Sequence, residues 1–165
     1  MRNKSKFSLA KILKFIVLNL PKFIRDPIIR SQLNINYNGV KDLVIKTAET
    51  EEELEGALRV LHDTYVDTGL ADKSESGMRI TKYHLLPSTT NIIAKYKGQV
   101  IATISIFHDG PLGLPADKFV NLKKLRSQGK RLVEISSLAI TKSNDFRGSR
   151  VYFPMVIFMY LFCKK

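Results

Sequence analysis

The sequence predicts an α/β (α+β) domain with a mixed, mostly antiparallel sheet, and three stretches carry that prediction. Glu49 to Tyr65 sets Leu54, Leu58, Leu61 and Tyr65 on one helical face, with acids crowding the first turn where the helix dipole favours them. Asn91 to Tyr96 and Val100 to Phe107 are β-branched runs joined through Lys97–Gly98, which reads as a hairpin. Leu132 to Thr141 reads as a further strand, and the apolar segment from Val151 to Phe162 as a closing helix.

Taken in order, residues 1–30 come first. Leu9 to Leu20 is nearly all apolar, with Lys11, Lys14 and Lys22 on one narrow helical face. A membrane span needs ~20 apolar residues, and this run is too short and too charged. A secretory leader is disfavoured because lysines interrupt the run and no small-residue cleavage site follows. The stretch therefore predicts an amphipathic helix lying in an anionic lipid interface, with a helix packed on the domain or on a partner as the alternative. Polar residues 31–42, with Asn38–Gly39, read as a linker, and 43–165 as the domain proper. Leu43 to Thr47 is its first strand. Val66 to Gly77 is a surface loop, and Arg79 to Leu86 a short second helix stopped by Pro87. After the hairpin come a turn-rich insertion at Leu112 to Pro115 and a helix near Asp117 to Gln128. Pro154 is placed in the first turn of the closing helix, where a missing donor costs little. A hairpin followed by a strand–loop–helix unit does not suit a doubly wound sheet.

At 165 residues the chain is one domain's worth. Its net charge of +12 is concentrated at one end. Residues 1–30 hold eight basic residues against Asp26 alone, a net of +7. Charge is all that suggests nucleic acid, since no helix-turn-helix, RNP-type or zinc-finger pattern is visible, so nucleic acid is not expected as a partner. Anionic lipid or an acidic carrier protein fits the basic N-terminus equally well. Cys163 is the lone cysteine, and His62, His84 and His108 lie on separate segments, so neither a disulfide framework nor a metal site is predicted. The reading is of a reducing, cytoplasmic protein, peripheral at the inner membrane face.

The segment that bears chemistry is Val133 to Ile140, where Glu134 sits in a strand that is otherwise apolar and small. A buried carboxylate needs a partner, a proton or a role. One reading is a proton acceptor for an amine that attacks a thioester. The other is a structural ion pair with an arginine such as Arg59 or Arg79. Further on, Phe146-Arg147-Gly148-Ser149-Arg150 precedes the closing helix, and a helix N-terminus with a glycine and two arginines can hold a phosphate.

Glu134-Ile135-Ser136-Ser137-Leu138-Ala139 resembles the E-[LI]-S-R-F-A strand of acyl-homoserine-lactone synthases, with Ser137 in place of arginine and Leu138 in place of phenylalanine. Leu86-Pro87-Ser88-Thr89-Thr90, Pro111-Leu112-Gly113-Leu114-Pro115 and Arg131 to Ala139 are together similar to the long-chain N-acyl amino acid synthases (FeeM-type), a related GNAT-like group. This resemblance spans residues 43–165. It implies a GNAT-like acyl-CoA N-acyltransferase fold, and an enzyme that moves a long acyl group from an acyl-carrier-protein or CoA thioester to the amine of an amino acid, with no permanently bound cofactor. It further implies Glu134 as catalytic base and Arg59, Ser136, Ser137 and Leu138 as substrate contacts. Ala139, Ile140, Arg147, Gly148, Ser149 and Arg150 would hold the phosphopantetheine arm. In that group a fifth strand and a further helix follow the helix at Val151, so the fold is expected to be incomplete at its C-terminus. Two alternatives stand beside this reading: a homoserine-lactone-type synthase, against which the serine at 137 argues, and a truncated, non-catalytic membrane-associated remnant.

Overall fold

The computed structural model describes residues 40–142 and 149–163. The helix expected in residues 1–30 and positions 31–39 of the expected linker lie outside them. The elements are β1 (Leu43–Thr47), α1 (Glu51–Asp67), β2 (Thr90–Tyr96), β3 (Gln99–His108), a 3₁₀ helix (Pro115–Lys118), α2 (Lys123–Ser127), β4 (Val133–Ile140) and α3 (Ser149–Cys163). The strands pair in the order β1-β2-β3-β4, each antiparallel to its neighbour. The first strand, the long helix, the hairpin, the fourth strand and the closing helix thus form where the sequence places them.

Local chemistry explains most of these elements. Lys97 (φ 48°) and Gly98 (φ 85°) are both left-handed, which gives the two-residue turn whose twist matches that of the flanking strands. Helix α1 starts at Thr50, whose Oγ1 accepts the Glu53 N–H at 3.2 Å, with Glu51, Glu52 and Glu53 in the first turn. Gly56 is required where this helix nears β3, because a β-carbon there would lie 2.9 Å from Val100 Cγ2.

Each face of the sheet is covered differently. On one face Ile92, Ala94, Ala102, Ile104 and Ile106 pack against Val151 and Met155 of α3, all fully buried and apolar. On the other, Val60 and Leu61 of α1 cover Ala139 of β4. Near the sheet's β1 edge this second face carries charge. Glu53, 8% exposed at its side chain, pairs with Lys95 of β2 at 2.9 Å and Lys46 of β1 at 3.1 Å, and also accepts the Glu49 N–H. One carboxylate therefore ties the start of α1 to two strands. Among the described residues, no helix is long and apolar enough to cross a membrane.

Three expectations need correction. Within 79–86 there is no helix: the chain is irregular at 79–81 and then forms successive tight turns closed by the His84 N–H on the Thr81 carbonyl and the Leu86 N–H on the Tyr83 carbonyl. The Thr81 N–H is drawn to the His84 side chain, and such local bonds compete with helical ones. The single helix expected over 117–128 is two short pieces, the 3₁₀ turn and α2. Asp117 spends its carboxylate on the Leu114 N–H and Arg126, and Asn121 Oδ1 accepts the Lys123 N–H, so the chain breaks between them. Pro154 lies in the second turn of α3, not the first, since that helix already begins at Ser149.

The Glu53 cluster makes a testable statement about pH. The Glu49 N–H and the Lys95 ammonium hold this carboxyl near 2 against an ordinary 4.5. A depressed folded-state pKa stabilises the fold above the ordinary value and loses that stabilisation as pH falls. Glu53→Gln should lower the Tm at neutral pH and flatten its decline between about pH 5 and pH 2.5. Thermal unfolding of both proteins across that range checks it, and parallel curves would show that the carboxylate does not act this way.

Candidate active site

Strand β4 is one of the two outer strands among those described, which decides how its side chains are presented. Val133, Ile135 and Leu138 are exposed, whereas Glu134 and Ser136 are half-buried and Ser137 and Ala139 are buried. Glu134 is therefore not enclosed in an apolar strand, as its neighbours in sequence suggested. It stands opposite Phe107, and Ser136 opposite Ser105, so these side chains share the face that α1 covers further along. Ser105 donates to Asn91 Oδ1 at 2.7 Å. A polar row thus crosses the sheet beneath the half-buried carboxylate.

Neither arginine proposed as a structural partner reaches Glu134. Arg59 Nη1 donates to the Ser76 carbonyl at 3.2 Å and its Nη2 pairs with Glu55 at 3.4 Å. Arg79 lies over the Tyr65 ring, 4.9 Å from its centroid. Glu134 Oε2 instead accepts the Ala116 N–H at 2.7 Å, and among the described residues no cation pairs with it.

Ala116 is brought there by the insertion, which is a rigid clip. Arg126 makes a two-pronged contact with Asp109, at 2.6 and 2.7 Å, and another with Asp117, at 2.8 and 2.7 Å. Fork-on-fork pairing of this kind fixes orientation as well as distance. Asp117 also accepts the Leu114 N–H at 2.8 Å. Arg126 and that amide together hold the Asp117 carboxyl at about 2. Beneath the clip, Leu114 joins Tyr83 and Phe107 in a small apolar cluster. The clip gives one Glu134 oxygen a fixed partner and so aims the carboxylate.

Ser137 departs from ordinary strand geometry. Thr103 pairs with Ala139 and Ser105 with Ser136, so Ser137 and Leu138 together face Ile104 in a β-bulge. Ser137 has φ 55°, and its Oγ lies 3.2 Å from His84 Nε2. His84 is itself buried and meets the Phe107 ring edge-on at 5.2 Å. Burial, with Arg79 adding to it, pushes the imidazole down to about 4, so it is neutral at ordinary pH.

The other residues singled out in the sequence fall elsewhere. Arg59, about half exposed, lines a separate groove of about 450 Å³ with Val60, Lys95 and Thr141. Ala139 is buried under α1, and Ile140 packs towards the α3 face. Arg150 is exposed in the first turn of α3, and Ser149 opens that helix. Arg147 and Gly148 lie outside the described residues, as does the Ser149 side chain. His84, Asn91, Ser105 and Arg126 were not singled out by sequence. His84 and Ser137 are 53 positions apart, and nothing local marks them as a pair.

A family model for the N-acyl amino acid synthase FeeM matches residues 56–165, which includes β2 to α3 and the whole of this site. The chain belongs to the FeeM family. Among solved structures, FeeM itself, an N-acyl amino acid synthase from uncultured soil microbes, aligns with a TM-score of 0.59 and 26% identity, over 74% of this chain and 66% of that one. The matched part is thus just short of two thirds of FeeM. The AHL synthase LasI aligns with a TM-score of 0.48 and 15% identity, over 72% of this chain and 64% of its own. A comparison with curated protein sequences finds no match. The GNAT-like α/β fold implied by the sequence resemblance is the fold of the FeeM-like domain.

If the clip aims Glu134, breaking its backbone geometry should show in stability. Gly113 has φ 65°, and a β-carbon there would collide with the Asp117 carboxylate. Gly113→Ala should cost about 1–3 kcal/mol, the usual range for one strained backbone position. Chemical denaturation checks this, and an unchanged midpoint would mean that the clip is loose in solution.

Proposed function

We propose that the chain is an N-acyltransferase, joining a long-chain acyl group carried as an acyl-carrier-protein or CoA thioester to the amine of an amino acid. Family membership supports the reaction class. The observation that carries the reading is Glu134: a half-buried carboxylate on an outer strand, aimed by one amide N–H and unpaired with any cation among the described residues. Its second oxygen is open to an amine placed beside it, which is the geometry that proton transfer needs.

In the proposed reaction the amine nitrogen attacks the thioester carbonyl. A C–N bond forms, the C–S bond breaks, Glu134 takes the proton from nitrogen, and the departing thiolate takes up a proton. Ser136, Ser137 and Leu138, next along β4, and Arg59 from α1 are assigned to substrate contact. The donor arm is assigned to Ala139 and Ile140 and, at the start of α3, to Arg147, Gly148, Ser149 and Arg150, where helix N–H groups and arginine favour a phosphate. An acidic carrier protein as donor suits a chain of net charge +12.

Incubating the full chain with long-chain acyl thioesters and amino acids should yield N-acyl amino acids by mass spectrometry. Free thiol without amide, or an acyl-homoserine lactone as the sole product, would overturn the reading. Glu134→Gln keeps the shape and removes the base. Turnover should fall by ~10²–10⁴ while the Tm stays nearly constant. A lowered Tm with turnover intact would retire Glu134 to a structural role.

A further inference from the structure

We propose that Ser137 is a hydrogen-bond donor to the thioester carbonyl oxygen, held in place by His84, so that the pair stabilises the oxyanion formed when the amine attacks. The inference rests on the acyltransferase reading above and adds two roles to it: Ser137 as a catalytic donor and His84 as a positioning residue.

The direction of the hydrogen bonds follows from one constraint. The Thr81 backbone N–H lies 3.1 Å from His84 Nδ1 and can only donate, so Nδ1 is an acceptor. A neutral imidazole then carries its proton on Nε2. That proton is donated to Ser137 Oγ, 3.2 Å away. With an Oγ lone pair engaged, the hydroxyl proton of Ser137 remains to be donated onward. Among the described residues no acceptor meets it, and a hydroxyl polarised by an incoming donor is itself a better donor.

The backbone points the same way. An alternating strand would turn Ser136 and Ser137 to opposite faces. The bulge and the left-handed φ of 55° swing Ser137 back towards His84, whose ring touches Phe107, the cross-strand neighbour of Glu134. A left-handed non-glycine residue in a strand is disfavoured, and serine has little intrinsic tolerance for it. Bulges commonly re-aim one side chain beside an active site. Here the result is two serines and Glu134 on one side of an outer strand.

A purely structural role, in which His84 pins the 79–89 turns to β4, makes different predictions. Ser137→Gly suits the left-handed φ but removes the CH2OH side chain and leaves the buried His84 Nε2–H without its partner, so the two effects on stability oppose each other and the Tm should change little. Its kcat should nevertheless fall by about 10²-fold, as for loss of one oxyanion donor, with KM for the amino acid little changed. His84→Leu should lower kcat similarly, and His84→Gln, whose amide can donate, should recover part of it. Because variants of a buried histidine can fail to fold, a second readout needs no turnover. The infrared carbonyl band of a bound acyl thioester, without amine, should shift to lower frequency in the native chain and lose that shift in Ser137→Gly. Full kcat in Ser137→Gly, or the same band in both proteins, overturns the inference alone. Failure of the native chain to bind any acyl thioester overturns the acyltransferase reading beneath it.

Discussion

The site depends above all on how β4 pairs with β3. Strand β3 is buried from Ile101 to Phe107, with neighbours on both edges and cover on both faces, so its register is not free to slip. β4 takes its alignment from that strand. The pairing puts Glu134 opposite Phe107 and Ser136 opposite Ser105, then spends one extra residue in the bulge at Ser137. Without the extra residue, the alternation that places Glu134 and Ser136 on the α1 face would carry Ala139 to the opposite face. With it, both ends of β4 meet their partners: polar groups at the site, and Ala139 beneath Val60 and Leu61.

The two faces of the sheet divide the work. One is dry, with aliphatic side chains from β2 and β3 against Val151 and Met155, and each such buried side chain contributes roughly 1.5–3 kcal/mol. The other is mixed, holding the Glu53 ion cluster at the β1 edge, apolar contacts with α1, and the polar row of Asn91, Ser105 and Ser136 towards β4. Buried polar groups are tolerated when every one is bonded, and the described residues leave no buried side-chain nitrogen or oxygen without a partner. Stability is thus vested largely in one face, leaving the other free to carry polar chemistry.

How much of this could be read from sequence follows the range of the interactions involved. The hairpin was legible because Lys97–Gly98 is a local signal, and α1 because its first-turn acids and the stripe of Leu54, Leu58, Leu61 and Tyr65 all lie within one segment. Glu134 stood out by residue type. Its partner did not, because the Ala116 N–H comes from 18 residues upstream through an insertion whose fold depends on Arg126 reaching back to Asp109. The turns at 79–86 carry a helix-like composition, and one side-chain bond from His84 to the Thr81 amide tips them the other way. The bulge at Ser137 has no glycine or asparagine to announce it. Its geometry is imposed by β3 on one side and His84 on the other, neither of which is near in sequence.

The central claim is that acyl transfer takes place over β4, with Glu134 receiving the amine proton. A crystal structure of the chain with a non-hydrolysable acyl-pantetheine analogue and an amino acid tests it directly. The amine nitrogen is expected within about 2.6–3.2 Å of the free Glu134 oxygen, directly or through one water, with the analogue's carbonyl turned towards Ser137. Ligands bound with no amine nitrogen in reach of Glu134, which stays bonded to Ala116 alone, would contradict it.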